Sequence, residues 1–193
     1  MTKILSVLIG VLLLATSSIS QSTSIKPAHK IAFKSINQFG LLTGGNGQSG
    51  TLQTINGVQL NKWFAGVGAG IDYYGTRGVP LFLDVRKELL NKKNSPFIYA
   101  DGGIHIPWAT AAQNQNKAYL GEDKKGAYFD GGLGIKLQTK SIGAILLSAG
   151  YSYKQVKSKA EMFTIWSFPT PVRSYEYYNY QYRRIVVKIG LEF

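Results

Sequence analysis

The most regular feature of the chain is alternation. In Arg184 to Phe193 the odd positions Ile185, Val187, Ile189, Leu191 and Phe193 are large and apolar, while the even positions include Arg184, Lys188 and Glu192. Successive side chains of a strand point to opposite faces, so this segment predicts a strand with one face of oil and one of charge. Trp63 to Tyr73 repeats the pattern, with Trp63, Ala65, Val67, Ala69, Ile71 and Tyr73 on one face and Phe64, three glycines and Asp72 on the other. Leu81, Leu83 and Val85 alternate with Asp84, Arg86 and Glu88. Ile98, Ala100, Ile104 and Ile106 stand against Asp101 and His105, and Phe129, Leu133 and Ile135 against Asp130 and Lys136. Ile142 to Tyr153 reads as a further strand. Ala32 to Thr43 and Thr51 to Leu60 complete eight, placed by position more than by pattern.

The connections alternate as well. Asn61-Lys62, Asn91 to Ser95 and Gln138 to Ser141 are short, whereas Pro107 to Lys125 and Lys154 to Tyr180 are long. Short turns at one end and long loops at the other, with aromatics closing the apolar faces, predict an eight-stranded antiparallel transmembrane β-barrel, an up-and-down meander over 32–193. A soluble β-sandwich, whose half-buried strands also alternate, is the competing architecture.

The N-terminus places this barrel. Lys3 followed by an apolar run from Ile4 to Ala15, too short to cross a bilayer as a helix, has the form of a secretory signal. Ser18 and Ser20 precede the expected cut, giving a signal peptide over 1–20, with a cut after Ser17 as the alternative. Residues 21–31 then form a short periplasmic segment. The chain has no cysteine, so disulfides, thiolate metal sites and thiol nucleophiles are excluded, and no cofactor or metal is expected. Its formal charge of +12 favours anionic surfaces such as lipopolysaccharide phosphates; nucleic acid is not expected as a partner of an exported chain.

Eight closed strands leave an interior only wide enough for side chains. The inward set is Asp72, Asp84, Arg86, Glu88, Asp101, His105, Asp130, Lys136, Arg184, Lys188 and Glu192, a charge network expected to pair in place of an apolar core, with Arg86 and Asp101 as the foremost pair. An ion path lined by the same charges is the alternative. The chain is not expected to be an enzyme. A lipid A-modifying site on His105 with Asp130 and Ser148 or Ser152 is the remaining catalytic reading, and His29 belongs to the tail before the first strand. Gly66, Gly68 and Gly70 alternate within a strand, which suits barrel curvature and room for bulky neighbours rather than nucleotide binding.

The final segment Ile185 to Phe193, ending on an aromatic, resembles the terminal strand by which outer-membrane barrels are recognised by their assembly machinery, with Phe193 as the signal. The stretches Ile55 to Gln59, Phe64 to Tyr74, Pro80 to Arg86, Pro96-Phe97 and Asp101 to Gly103 are similar to uncharacterised outer-membrane β-barrel-domain proteins of Gram-negative bacteria. That resemblance implies the architecture of the small OmpA/OmpX-type barrels in the cell outer membrane, and no established activity. The loop from Lys154 to Tyr180 carries the candidates for binding: Trp166, Phe168, Arg173, Tyr175, Tyr177 and Tyr178. Exposed aromatics among cations suit an extracellular protein, a glycan or lipopolysaccharide. A final strand starting as early as Tyr175 would extend roughly 60 Å at ~3.3 Å per residue, far beyond an apolar band ~25 Å tall, and leave a sheet edge outside the membrane. The expected role is therefore structural or adhesive, with a small pore as the alternative.

Overall fold

The computed structural model describes residues 31–45, 47–108, 123–140, 143–164 and 172–193, with the side chains of 160–164 and 172–174 left aside. The expected signal peptide and nearly all of the segment after it lie outside the described residues. Nine strands follow in order: β1 Ile31–Gly44, β2 Gly47–Leu60, β3 Trp63–Asp72, β4 Gly78–Glu88, β5 Ser95–Pro107, β6 Asp123–Lys124, β7 Gly126–Gln138, β8 Ala144–Thr164 and β9 Val172–Glu192. All but β6 pair antiparallel with their sequence neighbours, and β9 returns to pair with β1 over Gly44 to Ile36. Ser35 and Phe193 exchange two further backbone hydrogen bonds of 3.1 and 2.9 Å at the end of that seam. The result is a closed eight-stranded antiparallel barrel with no helix among the described residues, and not the sandwich.

Closure is what allows the observed burial. Leu133, Val67 and Ile185 point outward and are 66%, 61% and 60% exposed, whereas Arg184, Lys154 and Asp84 point inward at 1%, 0% and 0%. Apolar outside and charged inside is the reverse of a water-soluble core, and only lipid can solvate that exterior without penalty. With each of the eight barrel strands paired on both sides within the apolar belt, no backbone donor of the wall is left facing hydrocarbon.

Turn chemistry sets the registers. At one end Leu60 pairs directly with Trp63, a two-residue turn made feasible by Asn61 in the left-handed region (φ 56°). At the other end Gly44 pairs with Gly47, whose φ of 90° suits glycine. This second hairpin starts earlier than the expected Thr51. Its outer residues Gln48 and Ser49 lack an apolar face, so alternation did not mark them. Inside, a Cβ on Gly68 would lie 2.4 Å from the Phe82 ring, and one on Gly66 2.9 Å from the Phe64 ring. These glycines do make lumen room for bulky neighbours.

The largest departure from the expected strands lies in β8 and β9. The segment read as a long loop from Lys154 is mostly ladder, pairing without interruption from Ala144↔Glu192 to Thr164↔Val172. The other barrel strands stop near Tyr128 and Gly44, opposite Lys154 and Arg184. The hairpin thus continues roughly 30 Å further at ~3.3 Å per residue. β6 pairs beside it through Asp123↔Ser158 and Lys124↔Lys157. The early start considered for the last strand is therefore surpassed, at Val172 rather than Tyr175. Beyond Tyr153 the outward positions Gln155, Lys157 and Lys159 have left the lipid, so the oil-and-charge signature ends while the strand does not.

A cation placed on the lipid face tests this orientation. Leu133→Arg, in the outward apolar run of β7, is expected to cost about 2–4 kcal/mol in reversible chemical unfolding from lipid vesicles, and Gln181→Arg on the projecting hairpin less than about 0.5 kcal/mol. Equal costs at the two positions would contradict an apolar belt ending below Gln181.

Candidate functional site

Every member of the expected inward set faces the lumen, and the register sorts them into three levels. At the short-turn end, Lys136 Nζ lies 2.8 Å from both Glu88 and Glu192 carboxylates, and Lys34 reaches Glu192 at 3.0 Å. Gln59 donates to Glu88 at 2.9 Å. A space of about 20 Å³ between these residues and Arg86 has room for about one water.

At mid-height Asp84, Asp101 and Asp130 are direct register partners on β4, β5 and β7, three carboxylates in one row. Arg86 does not pair with Asp101 as expected. Its guanidinium forks onto Asp84, with Nε at 3.0 Å and Nη2 at 2.8 Å, because Asp84 sits two residues away on the same face while Asp101 lies across from Asp84 and Arg86 lies across from Tyr99. Lys188 serves the rest of the row, 2.9 Å from Asp130 and 3.6 Å from Asp101. Tyr99 and Tyr128 donate their hydroxyls to Asp130 at 3.0 and 3.2 Å, and Gln53 donates to Tyr128 at 2.8 Å.

At the far end Asp72 is paired with Arg184 and lies 3.2 Å from Lys154 Nζ. Lys154 also donates to the carbonyls of Tyr74 at 2.5 Å and Thr76 at 2.9 Å, which pins the β3–β4 connection to the barrel wall. Tyr74, 1% exposed, packs edge-on to Tyr182 there. Lys154 was missed by the sequence reading, although its even-numbered place continues the inward run Ser148, Ser152 on β8. Its role depends on a loop that meets it only in the folded barrel.

These levels account for the lumen charge as a whole. Lys34, Arg86, Lys136, Lys154, Arg184 and Lys188 are matched in number by Asp72, Asp84, Glu88, Asp101, Asp130 and Glu192, all facing inward. The formal excess of +12 therefore lies outside the described lumen. The residues weighed as a catalytic set are not assembled. His105 pairs with Gly126 and Asp130 with Asp101, four residues apart on β5 and so roughly 13 Å along the strand. Ser152 instead accepts a hydrogen bond from Arg184 at 2.6 Å.

The projecting hairpin is the second candidate site. Tyr177 is 74% exposed, and Lys159 Nζ sits 3.7 Å from the Tyr175 ring centroid. Tyr178 stacks on Tyr180 at 6.1 Å and donates its hydroxyl to Glu176, whose acceptor and charge raise that hydroxyl above the ordinary tyrosine pKa. By strand alternation Tyr175 and Tyr177 share one face and Tyr178 and Tyr180 the other, so the aromatics expected to act together are divided between two surfaces. Trp166 and Phe168 lie outside the described residues, and of Arg173 only its backbone place opposite Phe163 is described.

The mid-height row provides the sharpest test of lumen pairing. Lys188→Met leaves three buried carboxylates facing Arg86 alone and is expected to cost about 3–5 kcal/mol of unfolding free energy. Adding Asp130→Asn to Lys188→Met should restore part of that loss, giving a coupling energy well above 1 kcal/mol in a double-mutant cycle. Strictly additive losses would show that the pair is not formed.

No protein-family model matches the chain, and no curated protein matches it. Among solved structures, the outer membrane protein OprG from Pseudomonas aeruginosa is similar with a TM-score of 0.51 at 12% identity, covering 86% of this chain and 97% of that one. The N-terminal β-barrel domain of Pseudomonas aeruginosa OprF matches with a TM-score of 0.48 at 10% identity, covering 83% of this chain and 97% of that one. At such identities the likeness is one of fold. Together with the apolar exterior, the closed eight-strand meander and the charged lumen, the likeness to OprG gives the chain the fold of the small eight-stranded outer-membrane β-barrels.

Proposed function

We propose that this barrel is a non-enzymatic surface-interaction protein, in which a lumen filled by paired charges holds the β8–β9 hairpin as a rigid post and the free edge of β9 takes up a strand from an extracellular protein. The observation that carries this reading is the edge itself. β1 leaves β9 at Arg184, and among the described residues no strand pairs with that side of β9 from Val172 to Arg183. Phe193 and Ser35 exchange both their backbone bonds, so odd-numbered residues of β9 direct their N–H and C=O groups to the β1 side. Continued upward without a bulge, the same parity leaves the groups of Tyr175, Tyr177, Asn179 and Gln181 open to a partner backbone. Exposed tyrosines beside this edge suit a protein or glycan surface. Phe193, at the seam, is proposed as the residue read by the barrel-assembly machinery. The three occupied levels of the lumen favour a structural plug over a conducting pore.

Proline separates this reading from a merely structural hairpin. At Tyr175 and Gln181 it removes only N–H groups that β8 does not use, so the barrel should keep its heat-modifiable mobility. At Tyr178 it breaks the ladder itself. Cells displaying the wild-type chain are expected to retain about tenfold more protein from a panel of immobilised extracellular proteins than cells displaying Tyr175→Pro/Gln181→Pro at equal surface level. Equal retention would sink strand addition.

A further inference from the structure

The outward face of the hairpin changes character just above the membrane. On β8 the outward positions run Tyr151, Tyr153, Gln155, Lys157, Lys159, and on β9 they run Ile185, Arg183, Gln181, Asn179, Tyr177. The apolar run stops at Tyr153 and Ile185. Lys157 stands four residues beyond Tyr153, roughly 10 Å higher for a strand tilted about 40°. A lysine stem at that height can lower its ammonium to the phosphates above the hydrocarbon.

Partners across an antiparallel ladder share a face, so the pairings Lys124↔Lys157↔Asn179 and Lys159↔Tyr177 bring three lysines, an amide and a phenol onto one patch of β6, β8 and β9. They line a cleft of about 300 Å³ together with Ser158 and Tyr178. The carboxylates nearby are directed elsewhere: Asp123 pairs with Ser158 and Glu176 with Ala160, on the opposite face. Glu161 occupies the next place on this face toward the tip, opposite Tyr175. Lys124 directly opposite Lys157 is a like-charge pair, which destabilises a ladder unless an anion sits between the two ammonium groups. Yet these two positions are half of the only pairing that β6 makes among the described residues.

We infer that this patch is a binding site for the phosphate of an outer-leaflet lipid head group. A phosphate offers several acceptor oxygens and a charge near −2, which three convergent lysines match as point charges, while Asn179 and Tyr177 supply neutral donors. The site deepens the surface-interaction reading but uses the face of the hairpin and not the β9 edge, so either can fail without the other.

The test uses the full folded chain in phosphatidylcholine nanodiscs, read by amide hydrogen exchange at Asp123, Lys124 and Lys157 to Lys159. Ten mole per cent bisphosphorylated lipid A is expected to slow exchange at these amides about tenfold. Lys124→Gln/Lys157→Gln/Lys159→Gln should abolish the effect, and Lys124→Gln alone, on a two-residue strand outside the barrel, should reduce it. Lys92→Gln/Lys93→Gln/Lys140→Gln, a charge-matched change in the turns at the opposite end, should leave it intact. Dephosphorylated lipid A should give no protection. The same protection from inorganic phosphate added to pure phosphatidylcholine discs would mean a soluble-anion site and overturn the lipid assignment. Unchanged exchange with lipid A, or full protection in the triple variant with its heat-modifiable band preserved, would overturn the site. Loss of protein capture in Gln181→Pro with lipid A protection retained marks the two readings as separate.

Discussion

Pairing of β9 with β1 is the constraint on which the rest of this molecule depends. In hydrocarbon an unpaired backbone group has no water to turn to, and each one left open costs several kcal/mol. A meander of eight strands has two edges until the last strand meets the first. The seam from Gly44↔Arg184 to the doubly bonded Ser35 and Phe193 removes both within the membrane. Closing the ring also encloses a volume that lipid cannot enter, and this is what permits charges inside.

The charges inside follow from that enclosure. A buried ion pair contributes little net stability over an apolar pair, but breaking one is costly, so the lumen must be balanced as well as filled. The balance is local at the short-turn end, where Lys136 stands between Glu88 and Glu192. At mid-height three register-aligned aspartates meet two cations, and farther out Arg184 and Lys154 exceed Asp72 by one charge. The neutrality is therefore a property of the whole column. It leaves the described positive excess outside the lumen, and Lys124, Lys157 and Lys159 are part of that excess.

The same backbone rule acts in the opposite sense above the membrane. Where water can solvate an open edge, β8 and β9 continue without β1 and β7, and among the described residues no strand pairs with the β1 side of β9 there. The barrel wall and the projecting hairpin are one pair of strands in two solvents. Lys154 marks the boundary, since it holds the β3–β4 connection against the wall at the height where the neighbouring strands stop.

Much of this could be read from residue order, because the lipid–lumen alternation is written one residue at a time. Ile185, Val187 and Ile189 against Arg184 and Lys188 identify a membrane strand and both its faces without any knowledge of its neighbours, and every residue expected to face inward does so. What residue order could not decide is which inward charges meet. Arg86 turns to Asp84 rather than Asp101 because the β4–β5 register sets the two aspartates opposite each other, and a register is a relation between strands. The extent of β8 and β9 was hidden for a related reason. Once a strand leaves lipid its outward positions need no longer be apolar, so only the pairing of Lys157 with Asn179 and of Lys159 with Tyr177 shows that it continues, and only that pairing, with Lys124 alongside, gathers the lysines on one face.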